Sequence, residues 1–354
     1  MRSVRVWLVL LSLCLVYPAT GWINPVIAAA EDKAISEKAS KEEGKTQTQQ
    51  ETKDEGKEEK KEAAKEEECP ATFGPIITDT AIPIEKGKFA IQPTLGLSFV
   101  TNTFSPNWRR TSAGGDFQSF FTGVKLTYGL FNNLEVYGVI PYIHNWAGNV
   151  NEPGPQGERN AAFGGLGDIS FTLKYRLVEE TQTLPTVSAI LTPTFPTGHF
   201  RHLNPGRLGT DALGGGTYAF ITGFNVSKYL KPFILYGNFW YTFQTDYSTD
   251  DVDGEGNPIV RRIHPRDFVT VNLAAEYPLT KKWVALLELT STWGAGRIVG
   301  PKADVDPTAL LSLLPAIEYM ATDKFSLALG VNIDLAGKNT NAKIIPLLSM
   351  VYAF

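Results

Sequence analysis

Four histidines are the side chains in this sequence best suited to acid–base chemistry, and their surroundings form no recognised catalytic motif. His144 and His264 lie near the ends of predicted strands, where a Ser–His–acid site would have to converge. The chain contains no Ser-x-x-Lys, Gly-x-Ser-x-Gly, phosphate-binding loop or His-Glu-x-x-His sequence. We therefore expect no enzyme activity and no catalytic residue.

Two other places have residues that could bind a metal. His199 and His202 could share a metal only if their loop formed a helical turn, and they have no further ligand nearby in the sequence. The acidic run 251–256 resembles the start of an EF-hand loop, but Arg262 stands at the twelfth position, where a bidentate glutamate is required. We expect neither a metal nor a cofactor.

Charged side chains alternate with apolar ones in a second pattern. Within residues 166–178, every odd position from Ile169 onwards is apolar, and the even positions include Asp168, Lys174 and Arg176. Successive side chains of a strand point to opposite faces, so this segment is predicted to be a strand with one apolar and one polar face.

Twelve segments with this alternation are predicted as strands. They are residues 88–100, 116–129, 134–145, 166–178, 186–197, 216–227, 232–245, 266–278, 283–294, 309–321, 325–335 and 343–354. Most have roughly the ten residues that a tilted strand needs to cross a bilayer, which is long for a soluble sheet. The sequence therefore predicts an all-β fold, an antiparallel up-and-down transmembrane β-barrel of about twelve strands over residues 85–354.

The connections between these segments alternate in length, as they do in outer-membrane barrels. The short ones are 130–133, 228–231, 278–282 and 322–324, and the long ones include 146–165 and 246–265. This arrangement places both termini of the chain on the periplasmic side. A soluble β-sandwich would also segregate charge to one face and stays open as an alternative.

A basic side chain facing lipid at the bilayer centre costs about 2–4 kcal/mol, so charges on the strands are expected to face the lumen. The predicted lumen-lining residues are Lys125, Glu135, Asp168, Lys174, Arg176, Trp240, Glu276, Glu288, Glu318 and Asp334. Trp240 shares that face with other large apolar residues, which indicates either a lining suited to apolar solutes or a packed barrel centre.

The two ends of the chain carry export signals. Residues 1–30 read as a signal peptide, with a basic start, a short apolar run and small residues before Glu31. Residues 31–84 follow as a charged, disordered periplasmic tail and linker, with periplasmic partners or the cell wall as possible contacts. Phe354 closes the last alternating strand and resembles the assembly signal that the barrel insertion machinery reads.

Three segments resemble a known family. FGGLGDISFTLKYRL (163–177), LTPTFPTG (191–198) and LEVYGVIPY (134–142) are similar to the outer-membrane proteins of the MetA pathway of phenol degradation. The resemblance implies a channel-type barrel for small, often aromatic, compounds. Asp168 in the Gly-Leu-Gly-Asp piece has two interpretations, a hydrogen-bonded turn residue or a residue at the pore.

The function predicted from these features is an outer-membrane channel for small molecules, hydrophobic or aromatic ones included. The alternatives are a structural or envelope-tethering barrel without transport and, less favoured, an enzyme at the barrel rim. The expected partners are outer-membrane lipids, the insertion machinery and a small solute, with no nucleic acid. The barrel is expected in the outer membrane with its tail in the periplasm.

Overall fold

A computed structural model describes residues 72–151, 153–154, 157–252, 258–299 and 302–354. In these residues, twelve long antiparallel strands form a barrel. They are β1 (Phe89–Phe104), β2 (Asp116–Phe131), β3 (Leu134–Gly148), β4 (Ile169–Val178), β5 (Thr186–Phe195), β6 (Ala219–Leu230), β7 (Phe233–Gln244), β8 (Phe268–Pro278), β9 (Trp283–Gly294), β10 (Thr308–Thr322), β11 (Phe325–Lys338) and β12 (Thr340–Ala353). Each strand pairs with the next, and β12 pairs with β1, which closes the barrel.

Alternation of side chains explains why these segments form a wall with two different faces. In β4, Phe171 and Leu173 point outward and are 47% and 41% exposed, whereas Lys174 of the same strand points inward and is completely buried. A closed antiparallel sheet leaves no unpaired edge, as a bilayer requires. The prediction of an all-β barrel with about twelve strands is confirmed, and the two packed sheets of a sandwich are not the architecture seen.

Several strand boundaries differ from the predicted ones. The sixth strand begins at Ala219 rather than at residue 216, because the preceding chain turns at Gly216, which has a φ of +68°. The last strand begins at Thr340, since a single residue, Asn339, connects it to β11 with a φ of +51°. Two short strands, Arg110–Thr111 and Ala161–Leu166, extend the sheet beside β1 and β3.

The two ends of the barrel have different connections. At the end that we call the short-turn end, the connections include 132–133, 231–232, 279–282 and 323–324. At the opposite, long-loop end, the connections include 149–168, 196–218, 245–267 and 295–307. Strands Tyr247–Val252, Pro258–His264, Arg297–Val299 and Lys302–Val305 form a separate small sheet there. Residues 253–256 of the acidic run considered for calcium lie outside the described residues.

Residues 72–84 lie inside the barrel, and we call them the lumen segment. Phe73, Ile76, Ala81 and Ile84 of this segment are each at most 2% exposed. The prediction of a disordered tail and linker over residues 31–84 is therefore wrong for residues 72–84. Their apolar side chains, which are scarce in the charged part of the tail, pack inside the barrel. Residues 1–71, including the predicted signal peptide, lie outside the described residues. No helix in the described part of the chain is long and apolar enough to cross a membrane.

Candidate functional site: the barrel lumen

Glu288 holds the lumen segment by its backbone. Its carboxylate accepts hydrogen bonds from the backbone N–H groups of Ile76 (2.6 Å), Ile77 (3.0 Å) and Thr78 (2.6 Å). Glu288 projects from β9 and is 1% exposed. A buried carboxylate is stable only when hydrogen bonds replace its hydration, and three successive N–H groups supply them here. The segment therefore satisfies a charge that the barrel wall leaves inside the lumen.

Other lumen side chains receive the remaining backbone donors of the segment. The N–H of Asp79 donates to Asn238 Oδ1 (2.8 Å), and that of Ala81 donates to Ser227 Oγ (2.8 Å). The N–H of Phe73 donates to Glu318 (3.3 Å) on β10, and that of Ile84 donates to Glu135 (2.7 Å) on β3. The acceptors therefore lie on several different strands. The segment is not paired with a strand, so its buried backbone N–H groups need side-chain acceptors. The segment is consequently anchored along its whole length.

A buried ion-pair cluster joins the segment to the wall. Lys174 Nζ lies 3.0 Å from Asp79 Oδ1 and 2.9 Å from Glu135 Oε1, and all three side chains are at most 3% exposed. Lys125 Nζ lies 3.9 Å from the ring centre of Tyr137. Burying a lysine without counter-charges would be very costly, so the carboxylates of Asp79 and Glu135 explain why Lys174 can be buried here. Asp79 thus links the lumen segment electrostatically to β3 and β4.

Replacing Lys174 with methionine is expected to destabilise the folded barrel by about 3–5 kcal/mol, because it leaves two buried carboxylates without their cation. Arg176→Gln is the control on the same strand. Arg176 pairs with Glu179, whose side chain is 75% exposed, so this change should cost at most about 1 kcal/mol. Urea unfolding in detergent micelles measures both values. Equal losses for the two variants would contradict the ion-pair account.

A cavity of about 200 Å³ lies between the lumen segment and the long loops. Apolar atoms form most of its lining surface, with side chains such as Phe117, Ile143 and Leu213, and the polar lining comes from hydroxyl and amide side chains and from two charged residues, Asp168 and Lys343. Phe121 lines the cavity and also packs in a cluster with Ile76, so the segment supports the cavity floor. The lumen segment therefore fills the short-turn half of the lumen, and the long-loop half contains this cavity.

Asp168 fixes the inward position of the loop that connects β5 and β6. Its carboxylate accepts hydrogen bonds from the N–H groups of Gly198 (2.9 Å) and Gly215 (2.7 Å) at the two ends of that loop. A Cβ on Gly214 would lie 2.3 Å from Asp168 Oδ1, so the close approach requires glycine. Leu208 and Leu213 of the loop line the cavity. Asp168 thus binds loop backbone and borders the cavity, and a role for it at the pore stays a prediction.

Most of the predicted lumen-lining side chains point into the barrel. Those that are at most 3% exposed are Lys125, Glu135, Lys174, Trp240, Glu276, Glu288, Glu318 and Asp334. Asp334 accepts hydrogen bonds from Ser312 Oγ and from the N–H of Lys343. Arg176 differs, because it lies near the short-turn end and forms a partly exposed ion pair with Glu179. Its role in a lumen remains a prediction.

Sequence reasoning missed the neutral side chains that help to hold the segment. Asn225 donates to Asp79 Oδ2 (2.6 Å), accepts from Trp240 Nε1 (2.9 Å) and accepts from Asn238 (3.0 Å). A strand asparagine or serine gives no sign of its partner in the sequence. The useful signal was in the segment itself, where Phe73, Ile76 and the following isoleucines interrupt the charged composition.

The histidines take part in local contacts at the long-loop end. His144 packs against Trp146 with ring centres 4.3 Å apart, and His199 Nδ1 lies 2.7 Å from the backbone oxygen of Asp211. His264 Nδ1 lies 2.5 Å from Asp246 Oδ1. Within the described ranges, no three histidine, cysteine or acidic side chains are grouped in a way that could hold a metal ion.

A family model covers most of the barrel. The family described as the MetA pathway of phenol degradation matches residues 86–343. The chain belongs to this family. The resemblance found in the three sequence segments is thereby confirmed. The family match begins just before β1, so the lumen segment lies ahead of the matched region. No curated protein matches the chain.

Two solved structures are similar to this member of the phenol-degradation family. An outer-membrane channel from Pseudomonas putida F1 is 16% identical, with a TM-score of 0.64 over 77% of this chain and 98% of that one. The translocator domain of the autotransporter NalP from Neisseria meningitidis is 12% identical, with a TM-score of 0.45 over 77% and 90%. The first similarity shows that the two chains share a fold.

Proposed function

We propose that this protein is an outer-membrane channel for small, mainly apolar molecules, aromatic ones included. The observation that carries the proposal is the cavity of about 200 Å³ at the long-loop end, with its mostly apolar lining. Pockets for drug-sized ligands measure about 300–1,000 Å³, so this cavity suits a smaller molecule. A wide water-filled pore for hydrophilic solutes would have a more polar and less interrupted lumen.

The orientation of the barrel supports uptake from outside the cell. In outer-membrane barrels, short turns face the periplasm and long loops face the exterior. The cavity then opens on the outer side, and the tail before residue 72 lies in the periplasm, within reach of periplasmic partners or the cell wall. Outer-membrane lipids cover the outward apolar belt, and the barrel insertion machinery assembles the protein. The shared fold with a channel and the family's link to phenol degradation agree with this proposal.

The filled short-turn half of the lumen favours a second candidate, a structural or envelope-tethering barrel. A barrel that only anchors the tail needs no passage, and the lumen segment blocks the direct path. The two candidates differ in one measurable property, which is flux that depends on the protein.

We expect Ser170→Trp to reduce protein-dependent uptake of toluene by about tenfold or more, since it fills the cavity and removes at least about 1.4 kcal/mol of binding. The assay uses vesicles with lipopolysaccharide in the outer leaflet, because toluene crosses plain phospholipid unaided. Phe171→Trp is the matched control, since Phe171 is the next residue and faces outward. Folding of each variant is checked by heat-modifiable gel mobility. A folded wild-type barrel without protein-dependent uptake would favour the tethering candidate.

A further inference from the structure

We propose that the lumen segment, residues 72–84, is a withdrawable gate for the short-turn half of the lumen and that Glu288 is its main latch. The proposal rests on the proposed channel function, because a gate has a purpose only where something passes. It assigns a role to ordered residues that precede the barrel strands. Three features of the segment carry it: its path, the nature of its contacts and its position below the cavity.

The path of the segment allows withdrawal without threading. Phe73 near its start and Ile84 at its end belong to one apolar cluster with Ala90, Met320 and Val351, which lies at the short-turn end of the barrel. Between these two points the segment rises to Asn238 and Glu288, each the sixth residue from the short-turn end of its strand. It therefore enters and leaves by the same mouth, as a loop reaching the middle of the barrel.

The polar contacts of the segment are ones that water can replace. Its backbone donors bind carboxylate, amide and hydroxyl oxygens of the wall, and the net contribution of each such bond is small because water forms the same bonds with the separated groups. When the segment leaves, water entering from the mouth can hydrate both sets of groups. The segment also buries apolar side chains, Phe73 and Ile84 near the mouth and Ile76 against Phe121, and exposing them to water is the cost that keeps the gate closed at rest.

Glu288 is the latch because it binds three consecutive residues at the point of deepest insertion. The bonds from Ile76 and Thr78 are 2.6 Å long, shorter than those from Asp79 and Ala81 to neutral oxygens. Hydrogen bonds to a charged acceptor are about twice as strong as neutral ones. Ile76 also packs against Phe121, which borders the cavity, so release at Glu288 connects the cavity with the short-turn mouth.

A reversible disulfide tests whether the segment must move. Thr80 Oγ1 and Ser227 Oγ lie 3.3 Å apart and both side chains are buried, so Thr80→Cys with Ser227→Cys should form a disulfide with little rearrangement, in a Cys69→Ser background. The matched control is Thr94→Cys with Ser349→Cys, a pair 3.4 Å apart that joins β1 to β12 within the wall. Both proteins are assayed for toluene uptake, oxidised and reduced.

We expect the oxidised Thr80–Ser227 pair to abolish protein-dependent uptake and a reducing agent to restore it, while the wall pair behaves alike in both states. Equal uptake by the oxidised and reduced segment pair would overturn the gate and leave the channel function standing. If neither disulfide variant supports toluene uptake in either redox state, the channel function fails. A second measurement, which does not depend on transport, then tests whether the segment moves.

The second measurement is labelling of single Ser227→Cys by a membrane-impermeant maleimide in the folded barrel. Ser227 is 1% exposed beneath the segment, so labelling requires the segment to leave. We expect slow labelling that Glu288→Gln accelerates about tenfold or more, equal to about 1.4 kcal/mol of lost anchoring. Complete protection in both proteins would overturn the gate.

Discussion

Replacement of residues 72–84 by a glycine–serine linker of equal length is expected to convert the barrel into an open, cation-selective pore. The linker removes the chain that fills the short-turn half, together with the Asp79 carboxylate. The groups then exposed to water are four glutamates, Glu135, Glu276, Glu288 and Glu318, and two lysines, Lys125 and Lys174. Acids therefore outnumber bases in the opened lumen.

Single-channel recording in planar bilayers measures this effect. Conductance should rise from near zero to that of an open pore, with a reversal potential that favours cations. Selectivity should fade in 1 M salt, where the screening length is only about 3 Å. The control deletes residues 31–71 and keeps the lumen segment, which should leave the closed state unchanged. A linker variant that stays silent would mean that wall side chains such as Trp240 and Tyr236 close the lumen by themselves.

Changing Phe354 to aspartate is expected to abolish most outer-membrane assembly while leaving export intact. The N–H of Phe354 donates to the backbone oxygen of Phe89 (2.8 Å), and its ring lies 5.5 Å from that of Phe89 and 4.7 Å from that of Tyr352. The residue therefore sits at the seam where β12 meets β1. Its side chain is 52% exposed, so the native fold alone does not explain an aromatic residue at this position.

The matched control is Phe233→Asp, because Phe233 is an aromatic residue of similar exposure at the short-turn end of β7. Heat-modifiable mobility of outer-membrane fractions measures assembly, and signal-peptide processing measures export. If both aspartate variants lose assembly equally, the effect belongs to the aromatic belt at that membrane surface. If neither does, Phe354 carries no assembly signal.

The wall of the barrel could be predicted because its information is local. Alternation of apolar and polar side chains within about ten residues identifies a membrane strand, and neighbouring strands pair in chain order. The inward direction of Lys174 and Glu288 also followed, since a charge facing lipid is so unfavourable. Strand ends were less predictable, because residues such as Asn339 turn the chain without a glycine or proline.

The partners of the inward charges could not be predicted, because they lie far away in the sequence. Glu288 binds residues that precede it by 210 to 212 positions, and Glu318 binds Thr72 across 246 positions. These bonds also use backbone N–H groups, which every residue except proline possesses. The inward charges were predicted to face a solute, but Glu135, Glu288 and Glu318 accept hydrogen bonds from the lumen segment instead.

The lumen segment also connects opposite sides of the barrel. Glu135 on β3 and Glu288 on β9, which are six strands apart in a ring of twelve, hold its two arms through Ile84 and Ile76. Strand number and stagger set the circumference of a barrel, but a ring of given circumference can still be round or flattened. A chain tied to both sides acts as an internal strut that sets the cross-section. When the strut leaves, the barrel is free to change its cross-section, and the width of the passage then becomes a property of the wall alone.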